Sequence, residues 1–332
     1  MAVLNHQTPD HIPCFGANAT VTYEQMEKVQ AFWPEGHEKG EAMAKQAMAA
    51  YTMIGFDAVR VPFCQTFEAE ALGCKVKSGH EKGIPGIEHP SPYTLDDTPV
   101  FPDDFLSRGR IPELLKAVKI MKKELGDEVA IVGGIIGPFT IAGSLVEVTK
   151  ILKATLKTPD KIRPFLEVSE KAGTMLANAL IDAGVDIISC EDMTTSPDLI
   201  MPTTYKDLEL EYQTRQFDAI SVPTILHICG NVDPIVSWMG QTGPDIVSIE
   251  PECDVAATKK IYKQERRENI VLMGGVNTAN TLFMQDAETV KAACKESIEM
   301  GIQILAPGCA VAPGTPIGNL LAMVEVARSY SS

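Results

Sequence analysis

The chain has 332 residues, 45% of them hydrophobic and 22% charged, with a formal net charge of −15. That balance suits a folded globular protein and excludes nucleic acid or an anionic membrane face as the main partner, because both demand basic surface. No stretch approaches eighteen uninterrupted apolar residues, and MAVLNHQTPDHIP has neither a basic lead-in nor a long apolar run, so no membrane span and no secretory leader is expected. A cytoplasmic location follows. In that reducing setting the eight cysteines read as free thiols or metal ligands, not as a disulfide framework.

In chain order, the first candidate strand is HIPCFGAN (11–18), and the second is FDAVRVPF (56–63). The Gly-, Pro- and Asp-rich segment 74–105 then reads as an inserted loop region with room for a short hairpin. IPELLKAVKIMKKEL (111–125) has helical apolar spacing and leads into the strand VAIVGGII (129–136). A long helix is expected over 159–184, with Pro159 in its first turn and Gly184 as its C-terminal cap. The strands VDIISCED (185–192), VPTILHIC (222–229), DIVSIEP (245–251) and NIVLMGGV (269–276) follow. A helix over 286–301, closed by Gly301, precedes the last strand, IQILAPGC (302–309).

Several of these strands are apolar almost throughout, as strands buried on both faces of a parallel sheet are. Eight of them, each followed by helix, predict an α/β chain folded as a (β/α)8 TIM barrel. Nothing in 1–332 reads as a linker, a repeat or a low-complexity segment, so a single barrel domain is expected.

In such a barrel the C-terminal strand ends line the active-site mouth. His227 and Cys229 lie two apart at one strand end, so they face the same side. Glu250 ends the next strand and Cys309 the last. Two thiolates, one imidazole and one oxygen donor suit zinc, and a Cys2His set with an exchangeable fourth ligand is the pattern of catalytic sites. Glu250 equally suits a helix cap, and Cys253 is a rival ligand that lies beyond the strand end. Cys14, Cys190 and Cys294 read as small buried hydrophobes.

HICGN, followed some eighty residues later by PGCAVAPGTP, resembles the zinc-dependent methylcobamide:coenzyme M methyltransferases of the uroporphyrinogen decarboxylase superfamily. FDAVRVPF, GRIPELLKAVKI, VGGIIGPFTIA, ALIDAGVDIISCED and TPIGNL fit the superfamily pattern in order. The resemblance implies a (β/α)8 barrel of the uroporphyrinogen decarboxylase type and zinc held by His227, Cys229 and Cys309, with Glu250 as the ligand seen without substrate thiol. It implies methyl transfer from a methylcobamide, carried on a small corrinoid-binding protein, to the thiol of coenzyme M. A different thiol, folate or methyl donor, or a tetrapyrrole-binding barrel with structural zinc, stays open as an alternative. The Arg-rich N-terminal segment of porphyrinogen decarboxylases has no counterpart in NHQTPDHIPCFGANA, which argues against that reaction.

Other positions carry paired readings. Asp192 is a candidate second-sphere or proton-accepting catalytic group facing the mouth, or a helix cap. Asn231 orients a ligand or makes a turn. Gly137 and Pro138 shape the loop where a tetrapyrrole would pass. Arg60 is a candidate for the sulfonate of coenzyme M, or a partner in a barrel ion pair.

Overall fold

The computed structural model describes residues 2–5 and 7–330. Its strands are β1 (Ala58–Val61), β2 (Val76–Lys77), β3 (Gly86–Ile87), β4 (Ala130–Ile136), β5 (Ile187–Glu191), β6 (Thr224–His227), β7 (Ile246–Ile249), β8 (Val271–Val276) and β9 (Ile304–Pro307). The order β1-β4-β5-β6-β7-β8-β9 forms one all-parallel sheet, and β2 pairs with β3 as a separate antiparallel hairpin within the 74–105 insertion. Nearly every residue of the seven parallel strands is buried, because the sheet wraps an inner core while helices cover its outside. This is the barrel architecture that the strand pattern predicts.

One strand departs from that pattern. Residues 11–18 make only an isolated parallel bridge, Cys14 with Leu305. They still span the seam between the sheet's two edges. The Leu305 N–H donates to Pro13 O at 2.9 Å, the Phe15 N–H to Leu305 O at 3.2 Å, and the Asp57 N–H to Cys14 O at 3.0 Å. A full ladder is ruled out locally, since Pro13 has no N–H and the Cys14 N–H donates to the Asp57 carboxylate at 2.7 Å instead.

The helices follow their apolar spacing. Ile111–Leu125 buries Ile111, Leu114, Ala117, Val118, Met121 and Leu125, one stripe at 3.6-residue period. Each large side chain so enclosed contributes about 1.5–3 kcal/mol relative to exposure. The long helix starts at Arg163 rather than 159, because Pro159–Lys161 winds as a separate 3-10 turn. Its end is as expected: the Gly184 N–H donates to Ile181 O and the Val185 N–H to Leu180 O, a Schellman closure. Asp286 caps Ala287–Met300 through the Thr289 N–H, and Gly301 ends it. Among the described residues no helix is long and apolar enough to cross a membrane.

Candidate metal centre

β6 and β7 run in register, with His227 opposite Ser248, so both side chains point to the barrel interior. His227 Nδ1 lies 3.1 Å from Ser248 Oγ. That contact fixes the ring and leaves Nε2 for the mouth. Cys229, two residues on, places Sγ 3.5 Å from His227 Nε2 and 3.7 Å from Cys309 Sγ. Glu250, just past β7, is tethered by the Gly230 N–H, which donates to Oε1 at 2.7 Å. Gly230 is needed at this turn: its φ is 82°, and a Cβ there would collide with the Asp198 carboxylate. One donor atom from each of His227, Cys229, Glu250 and Cys309 lies within 4.8 Å of the others.

The donor set can be tested against zinc by geometry alone. Bonds of about 2.3 Å to sulfur and about 2.05 Å to nitrogen set tetrahedral edges of roughly 3.8 Å between two sulfurs and roughly 3.5 Å from sulfur to nitrogen. The observed 3.7 and 3.5 Å match both edges. A hydrogen-bonded far nitrogen is also how metal-bound imidazoles are oriented. The residues present fit a zinc ion.

Electrostatics point the same way. The Cys229 thiol, hydrogen-bonded to Cys309, holds the Cys309 sulfur well below the usual thiol range, and the same neighbour pushes Cys229 up. Burial opposes charging His227, yet the Cys309 sulfur and nearby Glu191 and Glu250 outweigh it and raise the imidazole. Burial raises Glu250 as well. Thiols and a carboxylate crowded into a partly buried volume cannot all ionise unaided, and a divalent cation reverses that preference.

The remaining candidates lie elsewhere. Asp192 is fully buried and turned away from the mouth. Its Oδ1 accepts from the Thr140 N–H at 2.9 Å and the Thr140 hydroxyl at 2.7 Å, and its Oδ2 from Gln213 Nε2 at 2.8 Å. It therefore caps the helix Pro138–Val146, which follows β4, rather than the segment after its own strand. Burial raises its pKa, against hydrogen bonds from Glu209, Thr140 and Gln213. Gly137 and Pro138 are buried under this carboxylate and begin the same helix. Asn231 is exposed, and its Oδ1 accepts from the Asp233 N–H at 2.9 Å, closing an Asx turn. Arg60 is inside the barrel, where its guanidinium donates to Glu191 and to Pro62 O. Gly134 leaves the space for it, since a Cβ there would strike the guanidinium. Cys253 is buried, with its thiol 3.7 Å from Gly230 O, outside the four-donor group.

Two residues of this region carried a signal that sequence reading passed over. Ser248 precedes Glu250 by two, so strand alternation places it on the same face. Glu191, not Asp192, is the inward acid, in register with His227.

The family model described as uroporphyrinogen decarboxylase (URO-D) matches residues 1–330. A protein named methylcobamide:CoM methyltransferase MtaA, from Methanosarcina barkeri (strain Fusaro / DSM 804), is 38% identical over 333 residues, covering 99% of this chain and 96% of that protein. Methylcobamide:CoM methyltransferase MtbA from Methanosarcina mazei is 37% identical over 98% of this chain and 96% of its own length. A solved methyltransferase from Methanosarcina mazei superposes with a TM-score of 0.93 at 37% identity, over 99% of this chain and 96% of that one. The chain belongs to the uroporphyrinogen decarboxylase family, and within it stands beside the methylcobamide:CoM methyltransferases.

Proposed function

We propose that this protein is a zinc-dependent methyltransferase that moves a methyl group from a methylated corrinoid, carried on a small partner protein, to the thiol of coenzyme M. The observation that carries the reading is the His227–Cys229–Glu250–Cys309 cluster, whose 3.5 and 3.7 Å spacings suit a tetrahedral zinc ion. The names of relatives about 37–38% identical over nearly the whole chain support the choice of substrates. All eight cysteines are free thiols, in keeping with a cytoplasmic enzyme.

His227, Cys229 and Cys309 would hold the ion, and Glu250 would occupy the fourth position until substrate arrives. Zinc bound there lowers the pKa of a coordinating thiol and so supplies a nucleophilic sulfur near neutral pH. The chain's own residues do the rest. Ser248 keeps the His227 ring in one orientation, and the Gly230 N–H holds Glu250 by one oxygen only, leaving the other free to move. The partial exposure of Cys229, Glu250 and Cys309 gives a substrate thiol access from the mouth. In the transfer, a C–S bond forms as the Co–C bond breaks. The electron pair of that bond stays on cobalt, and the thiol proton leaves to solvent. Phe283 and Ile84, 44% and 53% exposed beside the mouth, offer an apolar face to the corrinoid-bearing partner.

The decisive experiment is metal analysis with X-ray absorption at the zinc edge, before and after adding coenzyme M. One zinc per chain, with one oxygen neighbour replaced by sulfur, is the expected result. No zinc, or a coordination shell unchanged by the thiol, overturns the reading.

A further inference from the structure

Of the eight cysteines, six are buried: Cys14, Cys64, Cys74, Cys190, Cys253 and Cys294. Burial pushes their thiols up, those of Cys74 and Cys294 to about 12, so they stay protonated and poorly nucleophilic. Solvent reaches the other two, Cys229 and Cys309, and their sulfurs lie 3.7 Å apart. Exposure and proximity thus single out one pair. Oxidants attack accessible thiolate sulfur first, and a second thiol in contact converts the first oxidation product into a disulfide. A metal ion bound by this pair keeps both sulfurs deprotonated, which favours that chemistry further.

The local backbone permits the bond. A disulfide needs about 2.05 Å between sulfurs, so the pair must close by roughly 1.7 Å. Neither cysteine is pinned in the sheet, since Cys229 lies two residues past the end of β6 and Cys309 two past the end of β9. Each has a glycine beside it, Gly230 and Gly308, in a bend of the chain. Cys253, the other thiol of this region, is buried with its sulfur 3.7 Å from Gly230 O. Closure withdraws two of the four donors, and His227 with Glu250 is only half of a tetrahedral set.

We propose that Cys229 and Cys309 form a redox switch: a peroxide joins them in a disulfide, the ion they hold is released, and a dithiol restores both thiols. One thiolate sulfur attacks the O–O bond of hydrogen peroxide, leaving a sulfenic acid on that sulfur and hydroxide. The second thiolate attacks the sulfenic sulfur, the S–S bond forms, and a second hydroxide leaves. Two electrons pass from the sulfurs to the peroxide, and the hydroxides take up two protons to become water. A dithiol returns two electrons and two protons. The pair so stops oxidation at a reversible stage, short of sulfinic acid. Release of the ion rests on the zinc reading above, whereas closure of the disulfide does not need the ion.

The test treats the zinc-loaded full chain with a small excess of hydrogen peroxide. Free zinc is followed with a chromophoric chelator, intact mass by mass spectrometry, and the crosslink by peptide mapping without reductant. The expected result is a mass loss of about 2 Da, a crosslink joining Cys229 to Cys309, and stoichiometric zinc release. Dithiothreitol with added zinc should then restore mass, zinc content and methyl transfer together. Cys253→Ala should respond as the wild type does. In Cys229→Ala, Cys309 has no partner and should instead gain about 32 Da as sulfinic acid. A crosslink to Cys253, a wild type driven directly to sulfinic acid, zinc retained after closure, or failure of the dithiol to reverse it each overturns the switch. A chain that holds no zinc before oxidation removes the metal reading and the release step, and the mapped crosslink still decides whether the pair closes.

Discussion

Two adjacent parts of the barrel mouth end their strands in polar residues and use them in opposite ways. At the β4–β5 end, Asp192 is wholly buried and engaged by Thr140 and Gln213, and next to it Arg60 is locked to Glu191. At the β6, β7 and β9 ends, His227, Cys229, Glu250 and Cys309 turn their donor atoms toward one another, three of the four partly exposed. The first set is saturated by the protein and holds the scaffold. The second is held by contacts among its own members and their neighbours, His227 to Ser248 and to Cys229, Cys229 to Cys309, and Glu250 to the Gly230 N–H, with its donor atoms converging on one small volume. A polar residue at a strand end is thus read by what its neighbours leave unsatisfied, and its position alone does not decide its role.

The largest expected effect breaks the unsatisfied set. Cys309→Ser should weaken zinc binding by more than the roughly 10–100-fold that outer-sphere changes cause, and abolish methyl transfer. Competition against a chromophoric chelator measures it, and zinc retained at wild-type affinity would remove Cys309 from the ligand set. The converse breaks the saturated set. Asp192→Ala removes a helix cap and strands Gln213 and Thr140, at a cost of about 1–3 kcal/mol in denaturant unfolding, with zinc stoichiometry unchanged. Loss of zinc from that variant at full stability would erase the contrast between the two regions.

Ser248→Ala sharpens the comparison, because it lies between the two behaviours: a structural hydrogen bond serving a ligand. Its expected cost is about 10–100-fold in zinc affinity with little change in fold stability. Equal affinity would mean that packing alone orients His227.

An effect confined to acid pH, and absent at neutral pH, concerns His37, a buried polar side chain that fits neither pattern. Both ring nitrogens lack a partner among the described residues, and the ring packs against Trp33 with centroids 4.5 Å apart. Burial, with the nearby Arg110 charge, lowers its pKa from 6.5 to about 3. The unfolded chain therefore takes up this proton first as pH falls. The contribution of the neutral ring is intact above pH 6.5 and declines by about 1.4 kcal/mol per pH unit below it, until the folded-state value is reached. His37→Phe should flatten that part of the stability profile between pH 6.5 and 4. An identical acid limb in the variant would assign it to other groups.

Much of this was legible in the chain itself. The helix Ile111–Leu125 has the bounds its apolar period predicts, and the Gly184 and Gly301 endings are as read. His227 and Cys229 share a face by strand alternation, and counting strands puts Glu250 and Cys309 at strand ends of the same mouth, two strands apart. The first strand was misjudged in extent, because Pro13 and the Asp57 carboxylate, distant in sequence, together withdraw two N–H groups from the ladder. The inward acid was misplaced by one residue, and a single step along a strand moves a side chain to the opposite face.

What the sequence by itself determined is therefore local and periodic: the barrel class, most element boundaries, and the strand-end positions of the four candidate donors. These depend on side-chain type and spacing along one strand or helix. What only the tertiary structure decided is pairwise and non-local. It set which acid meets Arg60, which helix Asp192 caps, and the 3.5 and 3.7 Å spacings of the cluster. The physical reason is that hydrogen bonds and ion pairs saturate. Whether a polar group is free for chemistry depends on every neighbour that folding brings within about 3 Å, and no spacing along the chain records that.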